Sequence, residues 1–198
     1  MSGPVHIDDR RPPHSVFVRH VDRPQWSAPP HAVAHGHAAL AFYVGGSAEL
    51  EQRGRLRIGA GDVHIVPAGE AHRMTRAREV EVWCLGFDVV GLGPELAGLL
   101  APFERVRDGA AAVVAIPAGR QEHLRSLLAE LRREAAAPGV AAEPVQRSLL
   151  TLALAEVARA AGDHQPAAAP GLVARALRMI EQRCLGPLSL CDVAAALD

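Results

Sequence analysis

Between residues 15 and 116, hydrophobic and polar residues alternate in short runs that are separated by glycine and proline. The runs "SVFVRHV" (15–21) and "REVEVWCLGF" (78–87) have the period of two that is typical of a strand with one face in a core. Within "ALAFYVGGSAELEQRGRLRI" (39–58), Gly45-Gly46 and Gly54 predict breaks between strands. Several short strands with such turns predict an all-β sandwich or barrel over residues 15–116.

After Pro117 the spacing of apolar residues becomes that of a helix. The segment "GRQEHLRSLLAELRREAAA" (119–137) carries a single apolar stripe with charges on its other face. A second helix is expected to begin near Pro144, because proline is favoured in the first helical turn. Its apolar side chains fill two adjoining rows. The stripe is Leu124, Leu127, Leu128 and Leu131; the first row is Val145, Leu149 and Leu152, and the second is Leu150, Leu154, Val157 and Ala161.

The second helix predicts a dimer contact, since one contact with the barrel would cover only one of its two rows. Leaving a large apolar side chain fully in water costs about 1.5–3 kcal/mol. A two-fold partner that presents the same helix would cover the remaining row. We therefore expect a homodimer that forms through the helical segment 117–161, with an interface of Leu149, Leu150, Leu152, Leu154 and Val157.

The two ends of the chain differ in composition from its centre. Residues 1–14 are rich in proline and charged residues, which predicts a flexible arm. Residues 162–171 ("GDHQPAAAPG") have the composition of a linker, and a third helix is expected after it. The last predicted helix, within 185–198, has no partner element that would bury its apolar face. That feature predicts that the chain is a piece of a longer protein.

Composition and charge exclude several classes of protein. Hydrophobic residues make up 49% of the chain, which is enough for a globular core. The formal net charge is −1, whereas a self-sufficient nucleic-acid-binding domain has a basic excess. The 3 cysteines form no C-x-x-C pair, and the sequence shows neither a signal peptide nor an apolar run long enough to cross a bilayer. We therefore expect a cytoplasmic protein with no membrane partner.

Two histidine-containing stretches carry the first resemblance to a known family. In "HGH" (35–37) both imidazoles fall on the same side of a strand. In "GDVHIVPAGEAH" (61–72) two glycines and a proline supply turns before the final histidine. These stretches resemble the two motifs of the cupin superfamily. The resemblance implies a small double-stranded β-helix barrel, with His35, His37 and His72 converging inside it.

Three imidazoles can hold a divalent metal such as Zn, Fe or Ni with one coordination position open. The metal-binding cupins usually add a glutamate four residues after the second histidine, and here that position is Ala41. The alternatives are that the histidines line a pocket for an organic molecule or only pack in the barrel. No cofactor is therefore certain, and a metal at His35, His37 and His72 is one of three interpretations.

Strand alternation extends the candidate pocket along the chain. Ala39, Ala41 and Tyr43 share the parity of the "HGH" histidines, so we expect them to face the same side. Two alanines leave space there, and a tyrosine adds a hydroxyl on an apolar ring. The candidate ligand-pocket residues are His35, His37, Tyr43 and His72. The remaining histidines lack partner spacing and are expected to be surface or packing residues: His6, His14, His20, His31, His64, His123 and His164.

The end of the chain carries the second resemblance. The stretch "LSLCDVAAALD" (188–198) is similar to the "LSL-x-x-VA-x-x-L" helix that opens the DNA-binding domain of AraC-type transcriptional regulators. The order of barrel, helical pair, linker and this segment also matches that family. The resemblance implies a cytoplasmic homodimer that senses a small-molecule effector in its barrel. DNA would be bound through the C-terminal domain of the full-length protein, so no base-contacting residue is assigned here.

The expected fold class is thus α+β. A cupin-like double-stranded β-helix barrel (15–116) is followed by a helical pair (117–161), a linker (162–171) and the first helices of a truncated helix-turn-helix domain (172–198). The expected function is a ligand-responsive transcription regulator without enzymatic activity. The alternative is a cupin metalloenzyme of the dioxygenase or isomerase type that uses a three-histidine site.

Overall fold

The computed structural model describes residues 6–7, 16–23, 31–136, 139 and 141–163 of the 198-residue chain. The predicted arm, apart from residues 6–7, and the predicted helices after residue 171 lie outside these ranges. The chain divides into two compact units between Gly162 and Asp163. The strands are β1 (His6–Ile7), β2 (Val16–Arg23), β3 (Val33–Ala34), β4 (Ala38–Glu51), β5 (Arg55–Gly59), β6 (Asp62–Val66), β7 (Arg73–Phe87) and β8 (Val113–Ala115). The helices are α1 (Ala101–Arg107), α2 (Ala118–Ala136) and α3 (Ala142–Asp163), and two 3-10 helices span Val90–Leu92 and Pro94–Leu100.

Six of these strands form one sheet in the order β2-β7-β4-β6-β8, with β5 paired to the second half of β4. All pairings within it are antiparallel. The short strands β1 and β3 pair in parallel as a separate ribbon. The pair α2 and α3 follows this sheet, as expected from the helical spacing after Pro117. Helices nevertheless begin earlier than predicted, since the two 3-10 helices and α1 lie within the segment 15–116 that was expected to be all-β.

The predicted break at Gly45-Gly46 is wrong, because β4 runs through both glycines. The pairing of β4 with β7 shifts register around them, so they form a bulge inside one long strand. Gly46 has a φ of 70°, and a Cβ on it would lie 2.3 Å from the carbonyl oxygens of Arg78 and Glu79. The position therefore requires glycine for a close approach within a strand and does not end the strand.

The two faces of the sheet have different partners. The outer face, as we call it, packs against the helices, while the opposite, inner face holds a smaller apolar cluster. Outer-face side chains include Leu40, Phe42, Val63, Ile65, Leu85 and Phe87. The inner cluster contains Tyr43, Ala48, Leu50, Ile58, Val80 and Val82.

The helices α2 and α3 bury one stripe each on the outer side. All four leucines of the predicted α2 stripe are buried, as expected from their spacing. In α3 the buried side chains include Leu150, Leu154 and Val157. They pack with the buried side chains of α2 and of the outer face in one apolar cluster, called the outer cluster below. Among the described helices, none is long and apolar enough to cross a membrane.

This packing corrects the predicted dimer interface. Leu150, Leu154 and Val157 are 1%, 0% and 1% exposed within a single chain, so they are not available to a partner. The first row of α3 remains on the surface, with Leu152 47% exposed and Leu149 half-buried. The helix α3 does carry two apolar rows, as the sequence indicates. Its packing on the outer face of the sheet determines that the second row, and not the first, is buried.

A buried carboxylate also fixes α3 to α2. Glu156 is 6% exposed and accepts hydrogen bonds from Arg120, at 2.8 Å and 2.5 Å, and from Arg159. The hydrogen bond from Arg120 is the main cause that lowers the pKa of Glu156, against the opposing effect of burial. Since Arg120 lies on α2 and Glu156 on α3, this ion pair links the two helices.

Replacing Leu154 with alanine should remove a fully buried side chain from the outer cluster. We expect the free energy of unfolding to fall by about 2–5 kcal/mol. The control is Val90→Ala, which should change it by about 0.5 kcal/mol or less because that side chain is 90% exposed. Urea denaturation of both variants measures the difference, and equal losses would contradict the placement of Leu154 in the outer cluster.

Candidate functional site

The middle of the inner face has a floor of small side chains. Pairing in register aligns Arg19, Cys84, Ala41 and His64 across β2, β7, β4 and β6. A neighbouring row aligns Phe17, Gly86, Ala39 and Val66, and a third aligns Val21, Val82 and Tyr43. Ala39, Ala41 and Cys84 are only partly buried, so the floor is reached by solvent. The predicted common side of Ala39, Ala41 and Tyr43 is therefore present.

The ring of Phe17 lies over the floor, because its cross-strand partner on β7 is Gly86. A Cβ at Gly86 would lie 1.9 Å from the Phe17 ring, so only glycine leaves room for it. The same ring meets the imidazole of His37 edge-on, with 5.1 Å between ring centres. This contact places His37 at the border of the inner face.

The second histidine motif is held to the first by its backbone. Gly69, with a φ of 80°, donates its N–H to the carbonyl oxygen of His35 at 2.8 Å. Val33 and His72 exchange two backbone hydrogen bonds of 2.9 Å each. The centres of the His35 and His72 rings consequently lie 5.1 Å apart. The structure thus brings together the three predicted histidines, although His35 and His72 are 37 positions apart in the sequence.

Backbone carbonyls decide which ring nitrogen carries the proton in two of these histidines. Nδ1 of His35 lies 2.7 Å from the carbonyl oxygen of His37, and Nδ1 of His72 lies 3.2 Å from that of Glu70. A carbonyl oxygen only accepts, so Nδ1 is the donor in both rings. In the neutral form, Nε2 of each ring then keeps a lone pair for an acceptor role.

His64 is a fourth member of the site, and the sequence prediction of a surface or packing residue missed its polar role. It is 2% exposed, and its Nε2 lies 2.6 Å from Oε1 of Gln52. The Gln52 amide donates to the carbonyl oxygen of Ile65 at 3.1 Å, which orients Oε1 toward the imidazole. His64 therefore donates from Nε2. The centre of its ring lies 5.9 Å from the centre of the His72 ring. Its parity in β6, opposite to that of Val63 and Ile65, is the sequence signal that could have placed it on the inner face.

Burial keeps the titratable groups of the inner face neutral near pH 7. It lowers the pKa of His64 to about 3, with a smaller contribution from His72, and it also lowers the pKa of His72. Burial raises the pKa of the Cys84 thiol to about 11, partly offset by the nearby Arg19 guanidinium. It raises the pKa of Tyr43 as well. Within the three aligned rows, Arg19 is the only permanently charged side chain.

The arrangement does not fit a three-histidine metal centre. The rings of His35 and His37 stack in parallel, with 4.0 Å between centres and 4° between planes. In-plane lone pairs of parallel rings run side by side and cannot meet on one ion at the metal–nitrogen distance of about 2.0–2.1 Å. Among the described residues, no group of three His, Cys, Asp or Glu side chains is placed to hold a metal ion. Ala41 moreover supplies no carboxylate.

An arginine outside the inner face braces the turn that precedes His72. Arg53 donates two hydrogen bonds to the Glu70 carboxylate, at 2.6 Å and 2.7 Å. The same guanidinium donates to the carbonyl oxygens of Val106 and Arg107 at the end of α1. Arg53 has a φ of 53°, a conformation uncommon for a residue with a side chain. The turn is thus tied to α1, which helps to fix the backbone oxygen that orients the His72 ring.

Comparison with known proteins agrees with this fold. Residues 7–98 match the model of a family described as Cupin. No curated protein sequence matches the chain. Together with the antiparallel sheet and the helices, the match confirms the predicted α+β, cupin-like fold class.

Several solved structures are similar to the chain at low identity. The AraC-like transcriptional activator CuxR is 17% identical, with 82% of this chain and 56% of CuxR covered and a TM-score of 0.42. A variant of ToxT from Vibrio cholerae is 10% identical, with 95% and 72% covered and a TM-score of 0.46. The DMSP lyase DddQ from Ruegeria pomeroyi DSS-3 is 23% identical, with 38% and 39% covered and a TM-score of 0.34. The chain therefore spans little more than half of CuxR.

The neutral imidazole of His64 should make the protein sensitive to acid. In the unfolded chain a histidine has a pKa of about 6.5 and takes up a proton as the pH falls below that value, whereas the folded site resists protonation down to about pH 3. Each such group lowers the free energy of unfolding by up to about 1.4 kcal/mol per pH unit across this window. Urea denaturation between pH 7.5 and 4 measures the slope.

The control for this prediction is His64→Gln, because an amide can still donate to Gln52 but does not titrate. The variant should lose less stability than the parent over the same pH range, although its stability at pH 7.5 is lower. An identical pH dependence in both proteins would show that His64 is not the group that resists protonation.

Proposed function

We propose that the chain is the ligand-sensing and dimerising part of an AraC-type transcription regulator, with a small-molecule effector bound on the inner face of the sheet. The observation that carries the proposal is the contrast between the two faces. Helices cover the outer face, while the small side chains of Ala39 and Ala41 lie at the centre of the inner face and the imidazoles of His35, His37 and His72 lie at its border. Small-molecule sites are lined mostly by apolar side chains with a few convergent polar groups, and the inner face presents both.

The link to DNA rests on the sequence alone. The segment 188–198, which resembles the first helix of an AraC-type DNA-binding domain, lies outside the described residues. We propose that the C-terminal domain of the full-length, cytoplasmic protein contacts DNA and that residues 1–198 do not bind a specific sequence themselves. The net charge of −1 supports that assignment, since counterion release gives little affinity without a basic surface.

The proposed homodimer uses the row of α3 that the outer face leaves uncovered. Val145 is 37% exposed and Leu152 is 47% exposed. A cavity of about 410 Å³ adjoins this row and is lined by Leu96, Arg147, Ser148, Thr151 and Leu152. The same row on a two-fold partner would cover these side chains and give a closed pair.

A cupin metalloenzyme remains the second candidate because of one observation. In His35 and His72 the backbone holds Nδ1, which leaves Nε2 free, as in many metal-ligating histidines. The parallel stack of His35 and His37 and the alanine at position 41 speak against that function. The proposed regulator is therefore not an enzyme.

The proposal can be tested by fusing residues 1–198 to a DNA-binding domain that needs dimerisation to occupy its operator. The fusion should repress a reporter, and Val145→Glu with Leu152→Glu should weaken repression at least tenfold, since charges would enter an apolar contact. The purified double variant should sediment as a folded monomer. The control is Ala110→Glu with Ala111→Glu, two exposed loop positions that add the same charge. Repression by the α3 variant equal to that of the control would contradict the interface.

A further inference from the structure

The polar groups of the inner face indicate which kind of molecule it binds. We propose that the effector is a small carboxylate that also carries hydroxyl or amino groups, with its acid group on Arg19 and its hydrogen-bond donors on the imidazoles of His35 and His72. This inference rests on the proposed sensing function and adds the chemical class of the ligand. Each half of it follows from a separate set of contacts.

The acidic half follows from Arg19. Its side chain leaves β2 on the inner face, two positions from Phe17 and directly across from Cys84. The guanidinium is close enough to act on the pKa of the Cys84 thiol. It forms no ion pair or hydrogen bond with any residue that the structure describes, unlike Arg53, Arg73 and Arg120, which all pair with glutamates. A guanidinium is planar and always charged, and it can donate two parallel hydrogen bonds to one carboxylate. At the border of a small-molecule site it therefore favours a ligand with a carboxylate group.

The donor half follows from the histidine tautomers. With Nδ1 of His35 and of His72 engaged by backbone carbonyls, only the Nε2 lone pairs remain for a ligand. Because burial lowers the pKa of His72, this ring stays an acceptor near pH 7 and offers no second N–H. A ligand without hydroxyl or amino hydrogens would leave these nitrogens without a partner, which weakens binding.

The dimensions of the face limit the size of the ligand. Arg19 and Ala41 are separated by one intervening strand, β7, which corresponds to about 10 Å between backbones. The floor between them consists of Cys84 and Ala41, and the Phe17 ring stands beside it over Gly86. A molecule that reaches from the guanidinium toward the imidazoles is therefore short, with an apolar middle that rests on small side chains.

Three matched sets of probes test this inference by calorimetric titration of the 198-residue chain at pH 7.5. The hydroxy acids are glycerate, gluconate and 4-hydroxybenzoate. Their uncharged counterparts are glycerol, glucose and methyl 4-hydroxybenzoate, and their donor-free counterparts are propionate, hexanoate and benzoate. At least one hydroxy acid should bind ten times more tightly than both of its counterparts, because it satisfies both halves of the site.

Substitutions then assign the contacts of the hydroxy acid that binds. Arg19→Gln should weaken its binding at least tenfold. The control Arg57→Gln, at an exposed position of β5, should leave binding unchanged. His72→Gln should weaken binding of the hydroxy acid more than binding of its donor-free counterpart. Circular dichroism checks that each variant is folded.

The outcomes separate the two proposals. If an uncharged probe binds best and His72→Gln weakens it, the inner face is a sensing site but the carboxylate assignment is wrong. If Arg19→Gln and Arg57→Gln bind the hydroxy acid equally well, Arg19 is an ordinary surface arginine and the inference fails. Absence of binding by all nine probes also overturns it, while the repression assay on the fused chain continues to test the regulator independently.

Discussion

The antiparallel pairing of β4 with β7 is the constraint on which the rest of the structure depends. These are the two longest strands, and their register fixes which side chains reach each face of the sheet. Phe42 and Trp83 thereby meet on the outer face, while Ala41 and Cys84 meet on the inner face. A shift by one residue would exchange the faces, place large side chains on the floor of the site and expose alanines to the helices. The bulge at Gly46 preserves the pairing while the long strands change register.

Strand alternation and helical spacing account for what the sequence could predict. The common side of Ala39, Ala41 and Tyr43 follows from a period of two, and the burial of the α2 leucines follows from a helical period. The two rows of α3 were also visible. What spacing could not decide is which row meets the sheet, since that choice depends on how α3 crosses the outer face. Leu150 and Leu154 are covered inside the chain for this reason.

The polar part of the site depends on contacts between residues that no motif connects. His64 has no histidine at ligand spacing, and its partner Gln52 belongs to the chain after β4. The tautomers of His35 and His72 are set by carbonyl oxygens, which any sequence would provide. The parallel stack of His35 and His37 is likewise a property of the local backbone. The number of histidines therefore leaves a metal, an organic ligand and simple packing as alternatives, whereas the orientation of the rings argues against the metal.

Histidine nitrogen spectroscopy tests the central claim, a neutral and ordered imidazole site, most directly. Long-range ¹H–¹⁵N correlation spectra of the protein labelled at histidine, with single His→Gln variants for assignment, report which ring nitrogen is protonated. At pH 7.5 we expect neutral rings in His64 and His72, with the proton on Nε2 in His64 and on Nδ1 in His72, a protonated Nδ1 in His35, and no protonation of His64 down to pH 5. Proton positions opposite to these, or titration of His64 near its unperturbed pKa of about 6.5, would contradict it.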